Sequence, residues 1–290
     1  MHCSLISALV SWLRVTDVKA QFVDELVVRG IERREAKWIV DEFAPGGDPD
    51  AYEAVRQAGD RRLRGEPLQY ILGHWPFREL DLDVDARVLI PRPETEELVG
   101  YALDVLAARD SSSPMILDLG CGSGAIGLSL LQELDNRGIT ASLIAVDESL
   151  DALAVAKRNA LKHNLLRVTF VHSNWFEGLD GSFAGSFDLI VTNPPYIAES
   201  EMANLDAVLD FEPRTALVAG DEEGPGLSDL ATILREAPRW LNATGVVLAE
   251  HGHTQGDALI ALARKAGLVN VRDVADMAGH PRILIAELAR

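Results

Sequence analysis

The sequence predicts an α/β protein: a largely parallel sheet covered by helices and closed by an antiparallel pair, preceded by a helical segment and a hairpin. Three observations carry this. Beyond Pro114, short apolar runs alternate with stretches of helical spacing, the pattern of strands joined by crossover helices. The last two runs are separated only by Met277-Ala278-Gly279-His280-Pro281, too short for the dozen or more residues of a parallel crossover, so that pair must be antiparallel. Up to about Gly65, by contrast, the apolar residues recur at helical spacing.

In order along the chain, Leu5, Leu9 and Leu13 mark a first helical face, Phe22, Leu26 and Val27 a second, and Trp38, Ile39 and Phe43 a third. Pro45, Gly46 and Gly47 end the third segment. Asp48 before Pro49 is a helix start and Gly65 the stop, giving four short helices. Leu80 to Asp85 alternate apolar and acidic residues, which predicts a strand with one wet face, and Val88 to Ile90 is its expected hairpin partner. Pro91 and Pro93 break that run. Glu94, Glu96 and Glu97 suit the first turn of a helix that continues to about Arg109, before the joint at Ser111-Ser112-Ser113-Pro114. Strands follow at Met115 to Leu119, Leu143 to Val146, Val168 to His172, Phe187 to Thr192, Val246 to Glu250, Leu268 to Val274 and Arg282 to Leu288. Helices start near Gly124 and Ser149.

A chain of 290 residues, 48% hydrophobic and 25% charged, has room for two globular domains. Its 27 Lys and Arg against 45 Asp and Glu leave a net charge of −18, which repels a phosphate backbone and argues against DNA as a partner. Two cysteines, Cys3 and Cys121, are too few for a disulfide framework and point to a reducing compartment, the cytoplasm. The stretch from Ser4 to Leu13 has no basic residue before it and no small-residue cleavage site after it, so it reads as an amphipathic helix rather than a signal peptide. No window is apolar enough for a membrane span.

The first strand of the alternating region runs into Asp118-Leu119-Gly120-Cys121-Gly122-Ser123-Gly124-Ala125-Ile126-Gly127. Glycines between a strand and a helix let a ligand lie against the backbone at a helix N-terminus. Asp147 ends the next strand, where a carboxylate can accept both hydroxyls of a ribose. These residues indicate an adenosine and leave a nicotinamide cofactor and S-adenosylmethionine both open. The C-terminal antiparallel pair, and the absence of a pyrophosphate for the loop to hold in that case, favour S-adenosylmethionine.

The strand at Phe187 to Thr192 delivers Asn193-Pro194-Pro195-Tyr196 outside its carboxyl end, where open α/β sheets bind ligands. Proline fixes its own φ and restricts the residue before it, so the Asn193 side chain and the Pro194 carbonyl are aimed in advance. Two rigid acceptors suit a planar NH2 group, whose delocalised lone pair makes it a poor nucleophile. Binding both hydrogens orients the nitrogen toward a sulfonium methyl, and the Tyr196 ring can cover the planar group. As a bare proline turn the segment would serve only its own backbone, but the glycine loop lies upstream in the same sheet. His251 and His253 lack a third ligand nearby, so no metal is expected, and Cys121 reads as a small residue lining the loop rather than a reactive thiol.

Together with Gln69-Tyr70-Ile71-Leu72-Gly73, Leu89-Ile90-Pro91-Arg92-Pro93-Glu94-Thr95-Glu96 and Phe211-Glu212-Pro213-Arg214-Thr215-Ala216-Leu217, these motifs resemble the peptide chain release factor glutamine methyltransferases, the PrmC or HemK family, over nearly the whole chain. The resemblance implies a Rossmann-like class I S-adenosylmethionine-dependent methyltransferase with a seven-stranded mixed sheet. It divides the chain into a helical substrate-docking domain (1–74), a β-hairpin linker (75–92) and a methyltransferase domain (93–290). It implies a bacterial class I release factor as partner, methylated on the side-chain amide nitrogen of the glutamine in its Gly-Gly-Gln motif. Carried over by motif, Gly120, Cys121, Gly122, Ser123, Gly124 and Asp147 hold the cofactor, with Trp175 beside the adenine and Asn193 at the methyl. Asn193, Pro194, Pro195 and Tyr196 hold the glutamine amide, with Asn193, Pro194 and Tyr196 as the catalytic set. Two departures stand out: Asn174 replaces a frequently acidic position, and Asp221 to Leu227 lengthens a turn at the pocket rim.

Three other readings compete. An adenine-N6 DNA or RNA methyltransferase would use the same turn on a flipped base, but needs a basic channel that a charge of −18 does not offer. A ribosomal-protein glutamine methyltransferase is a sister activity, and the helical N-terminal region and the Pro91 to Glu96 segment look less like that group. A non-catalytic adenosine-binding adaptor would not need the Asn193 amide.

Overall fold

A computed structural model describes residues 17–109 and 111–289, the Asn204 side chain excepted, and divides into two compact units at the Gly73–His74 junction. The helix expected around Leu5 to Leu13, and Cys3, lie outside the described residues. In the first unit α1 (17–28), α2 (Arg33–Phe43), α3 (Tyr52–Leu63) and α4 (Leu68–Leu72) enclose a core built on Phe22, Leu26, Ile39, Val55 and Ile71. Glu32 caps α2 by accepting from the backbone amides of Arg34 and Glu35. Asp48 caps a 3-10 turn, Pro49–Ala51, that leads into α3. The five-residue α4 is too short to show a period and was not foreseen.

The second unit carries a seven-stranded sheet in the order β5-β4-β3-β6-β7-β9-β8. Its strands are β3 (Met115–Leu119), β4 (Ser142–Asp147), β5 (Val168–His172), β6 (Phe187–Thr192), β7 (Leu241–Glu250), β8 (Leu268–Ala275) and β9 (Pro281–Leu288). The first five are parallel, and β9 runs antiparallel to both β7 and β8, as the short final turn requires. β7 starts five residues earlier than its apolar run because Leu241 pairs with Phe187 across a register shift.

Alternation along the strands assigns the two faces. Ile116, Leu143, Leu189 and Leu248 meet α5 (Pro93–Ala107), α6 (Ala125–Asn136) and α7 (Leu150–Lys162). Leu117, Ile144, Ile190 and Val247 meet α8 (Ser228–Trp240) and α9 (Gly256–Lys265). With both faces covered, the strand order reverses between β3 and β6, which opens a crevice beyond their carboxyl ends.

The hairpin corrects the sequence reading. Leu80–Asp83 (β2) pairs with His74–Phe77 (β1), not with Val88 to Ile90, which form no strand. The nearer segment wins because only Arg78 and Glu79 separate it from β2, with Arg78 in the left-handed region at φ 50°. The Arg78 guanidinium then holds the turn to α5 and α6, donating to the Glu96 carbonyl at 2.9 Å and to Glu133 Oε2 at 2.7 Å. The Ile90 amide is spoken for as well, donating to Glu212 Oε2 at 3.1 Å.

The acidic face of β2 meets α7. Arg158 reaches Asp83 at 2.7 Å, and Lys162 bridges Asp81 and Asp83. Beneath these exposed pairs, fully buried Asn159 accepts from the Asp83 amide at 2.7 Å and donates to the carbonyls of Asp83 and Ser123 at 3.1 and 2.9 Å. One side chain thus ties the hairpin to the glycine loop. Asn159→Ala, which strands the partly buried Asp83 amide and carbonyl and the buried Ser123 carbonyl, is expected to cost about 2–4 kcal/mol in urea unfolding. A loss below about 0.5 kcal/mol would show that the hairpin and loop are held by other means.

Candidate functional site

The crevice is floored by the loop between β3 and α6, whose Gly120, Gly122 and Gly124 adopt φ of 70°, 54° and 83°. Such angles favour glycine, and they turn the chain sharply enough for the Cys121 amide to donate to the Val146 carbonyl at 2.9 Å. Gly124 serves packing instead of the cavity: a Cβ there would stand 2.7 Å from Leu128 Cδ1. Below the loop, Asp118 is fully buried. Its Oδ2 accepts from the Gly127 amide at 2.9 Å, while Oδ1 has no hydrogen-bond partner. Burial lifts its pKa to about 7, with the Gly127 bond opposing and the Asp147 charge adding to the rise.

Asp147 ends β4. Its Oδ2 accepts from the Gly122 amide and its Oδ1 from the Ser149 amide, both at 2.9 Å, so each oxygen keeps lone-pair capacity for a ligand. Burial raises its pKa, with those two amides opposing. Trp175, at a positive φ of 45°, lays its ring beside Gly120, where a Cβ would come within 3.4 Å of Cζ3. Its Nε1 donates to Asp229 Oδ1 at 3.1 Å. Gly120, Cys121, Gly122, Ser123, Asp147 and Trp175 all line one cavity, joined there by Asn174, Asp229, Asn193 and Pro195. The Cys121 thiol is pushed up by burial and is not a poised nucleophile.

The proline turn is fixed from several sides. The Thr192 hydroxyl donates to the Leu119 carbonyl at 2.7 Å, joining the ends of β6 and β3. Asn193 Nδ2 donates to Thr95 Oγ1 at 3.1 Å, and the Thr95 hydroxyl donates to Glu250 Oε2 at 2.7 Å. The Tyr196 carbonyl accepts from Gln255 Nε2 at 2.9 Å. Gly226, in the lengthened rim loop, packs so tightly here that a Cβ would overlap the Tyr196 carbonyl. Ile197 then bridges to Val218 in parallel.

Pro194 is buried and Tyr196 half-buried. Tyr196 lines a second, smaller cavity together with Leu89, Arg92, Ile197, Leu209 and Leu217. Asn193 belongs to the walls of both cavities. Arg92 forms an ion pair with buried Glu212, which joins the Pro91 to Glu96 segment to the Phe211 to Leu217 segment. The two nitrogens of His251 are engaged by the Gly252 carbonyl and Asp273.

Sequence reasoning missed Glu250, Asp229, Gln255 and Asn159, and gave Thr95 no role of its own. Glu250 left a signal: it is the one charged residue closing the apolar run Val246 to Ala249, at the crevice end of a central strand. Thr95 and Asn159 carry no such mark, because their partners are distant in sequence.

The methyltransferase small domain family matches residues 101–211. A release factor glutamine methyltransferase of Pasteurella multocida is 41% identical over 234 residues, spanning 78% of this chain and 76% of its own. Another, of Pseudomonas aeruginosa, is 43% identical over 229 residues, spanning 79% and 78%. Among solved structures, a 16S rRNA N2 methyltransferase of T. thermophilus in complex with AdoMet and guanosine is 20% identical, with a TM-score of 0.50 over 74% of this chain and 49% of its own, and so shares the fold.

Asp118 makes a stability prediction with a definite sign. Its pKa is raised on folding, so the folded state holds the proton more tightly, and the stability this contributes is lost as pH rises from about 4 to about 7. Asp118→Asn is expected to remove that decline, so the stability difference between variant and wild type should grow in the variant's favour over this range. Urea titrations at pH 5 and pH 8 measure it; parallel behaviour of the two proteins would refute the assignment.

Proposed function

The chain belongs to the release factor glutamine methyltransferase family, and from that membership we propose that it methylates the side-chain amide nitrogen of the glutamine in the Gly-Gly-Gln motif of bacterial class I peptide chain release factors. S-adenosylmethionine is the methyl donor and S-adenosylhomocysteine the product. The observation that carries the site assignment is the position of Asn193 on the wall common to two cavities, one lined by the glycine loop and Asp147, the other by apolar side chains.

The residues present fit the donor. Asp147 has spent one acceptor site of each oxygen on a backbone amide and offers the rest to the ribose hydroxyls. Gly120 and Gly122 offer backbone free of side-chain bulk, Cys121 and Ser123 line the same wall, and the Trp175 ring suits the adenine, with the Asp229 carboxylate beside it where Asn174 supplies no charge. When bound, S-adenosylmethionine supplies a methyl group on a positively charged sulfur. Asn193 Oδ1 and the Pro194 carbonyl accept the two N–H groups of the substrate amide and aim its nitrogen at the larger cavity, with the Tyr196 ring alongside. Orientation, not a strong base, supplies the rate.

Residues 1–74 are assigned to release-factor docking, 75–92 to the linker and 93–290 to catalysis; the separate apolar core of the first unit supports the first of these boundaries, while the hairpin belongs to the second compact unit. No helix among the described residues is long and apolar enough to cross a membrane. The scarcity of cysteine supports a cytoplasmic site of action. An adenine methyltransferase would share the turn geometry, but the charge of −18 opposes polynucleotide binding.

The test is radiolabelled methyl transfer to purified release factor, to the same factor with its target glutamine replaced, and to DNA. Label is expected only on the intact factor; label that survives the replacement, or appears mainly on DNA, overturns the reading. Asn193→Ala should lower turnover about 100-fold while leaving cofactor affinity within about tenfold. Asp147→Ala should do the reverse, weakening cofactor binding about tenfold or more in calorimetric titration. Unchanged affinity there would end the ribose assignment.

A further inference from the structure

We infer that Thr95 and Glu250 are positioning residues that hold the Asn193 carboxamide with its oxygen toward the substrate, an inference that rests on the methyl-transfer reading of the same site. Proton count fixes the orientation. A threonine hydroxyl has a single proton, and Thr95 gives it to Glu250 Oε2 at 2.7 Å. Only lone pairs remain on Thr95 Oγ1 for Asn193, so the side of the carboxamide that faces it must be the NH2, at 3.1 Å. The Asn193 oxygen is thereby left on the opposite side, free to accept. Were the amide turned over, an NH2 group would confront the substrate's NH2 and neither could bond.

Three elements build this relay: Glu250 ends β7, Thr95 lies in the first turn of α5, and Asn193 follows β6. Thr95 is 4% exposed and Glu250 1%, so water does not compete for their bonds. Around Glu250 stand Tyr196, whose hydroxyl donates to Oε1 at 3.4 Å, and two charged groups, Arg282 from β9 and Glu94 from α5. The neighbouring His251 is occupied by Asp273 at 3.1 Å. Burial lifts the Glu250 pKa to about 7, with Thr95 and Arg282 opposing and Glu94 adding to the rise. Below that pH Glu250 carries a proton it can donate to Thr95, which frees the Thr95 proton for Asn193 and reverses the relay.

Three variants test this, with methyl transfer to release factor as one readout and cofactor titration as another. Thr95→Val keeps the shape and removes the hydroxyl; it should lower kcat about 10- to 100-fold with cofactor affinity unchanged. Thr95→Ser should restore kcat to within about threefold of wild type. Wild-type kcat should fall as pH drops through about 7, and Glu250→Gln should abolish that limb. Any part of this limb that belongs to Asp118 is common to both proteins, so the difference between their profiles reports Glu250. Full activity in Thr95→Val, equal losses in the Val and Ser variants, or a retained acid limb in Glu250→Gln would each overturn the relay. A measurement independent of the substrate separates its failure from that of the function: the side-chain amide hydrogens of Asn193, followed by NMR, should exchange about tenfold faster in Thr95→Val than in wild type. Equal exchange overturns the relay even in a protein that methylates release factor, and faster exchange supports it even in one that does not.

Discussion

Two consecutive prolines past β6 remove two backbone donors from the strand end that matters most, so the position of that turn must be supplied by side chains from elsewhere. The fold answers with one partner from nearly every neighbouring element. Thr192 ties the approach to β3, Thr95 reaches from α5, Gln255 holds the Tyr196 carbonyl from the start of α9, and the rim loop closes in through Gly226. Rigid φ angles alone would give a stiff turn in an arbitrary place. The cross-links make it a stiff turn at one place, above the reversal point of the sheet.

The same crevice concentrates buried acid, and the structure treats each carboxylate differently. Glu212 is matched by the Arg92 guanidinium and by a backbone amide, so it serves as a joint between two loop segments. Asp147 faces the cavity and keeps acceptor capacity for a ligand. Asp118 and Glu250 have no full cationic partner, and burial lifts both to about 7. For Asp118 this is a cost to stability, incurred beneath a loop whose geometry it helps fix through Gly127. For Glu250 it makes the sense of the hydrogen bonds above it depend on pH in the relay inferred for Thr95 and Asn193. A buried carboxylate is expensive wherever it sits, and these sit only where a loop or turn must be held without water.

Much of this was legible in the chain because parallel sheets write themselves as short apolar runs. β5 and β6 begin and end where Val168, His172, Phe187 and Thr192 place them, and the turn before Pro281 fixed the final pair as antiparallel. What escaped was tertiary. Val88 to Ile90 has strand-like residues, yet Glu212 takes the Ile90 amide from 122 positions away, and the two-residue turn at Arg78 gives β2 a nearer partner. Within the site, glycines, Asp147 and the proline turn announce themselves through residue type and place. Thr95 and Glu250 do not, since a threonine in a helix first turn has an ordinary local reason to be there, and its partner lies 155 residues on.

Selectivity is the question the reacting groups do not answer by themselves. An amide oxygen and a carbonyl that accept two N–H groups would serve a glutamine side chain and the exocyclic amine of a base alike. The discrimination must come from what surrounds them. Beyond Asn193 the smaller cavity is walled by Leu89, Ile197, Leu209 and Leu217, an apolar slot that matches the two methylenes of a glutamine and offers no row of cations for a phosphate backbone. Arg92, the basic residue on that wall, is already paired with Glu212. A polynucleotide approaching a surface of net charge −18 would meet repulsion without the counterion release that ordinarily drives its binding. An extended protein loop carrying one glutamine into that slot meets neither obstacle, so in the proposed reading the walls select what the acceptor pair cannot.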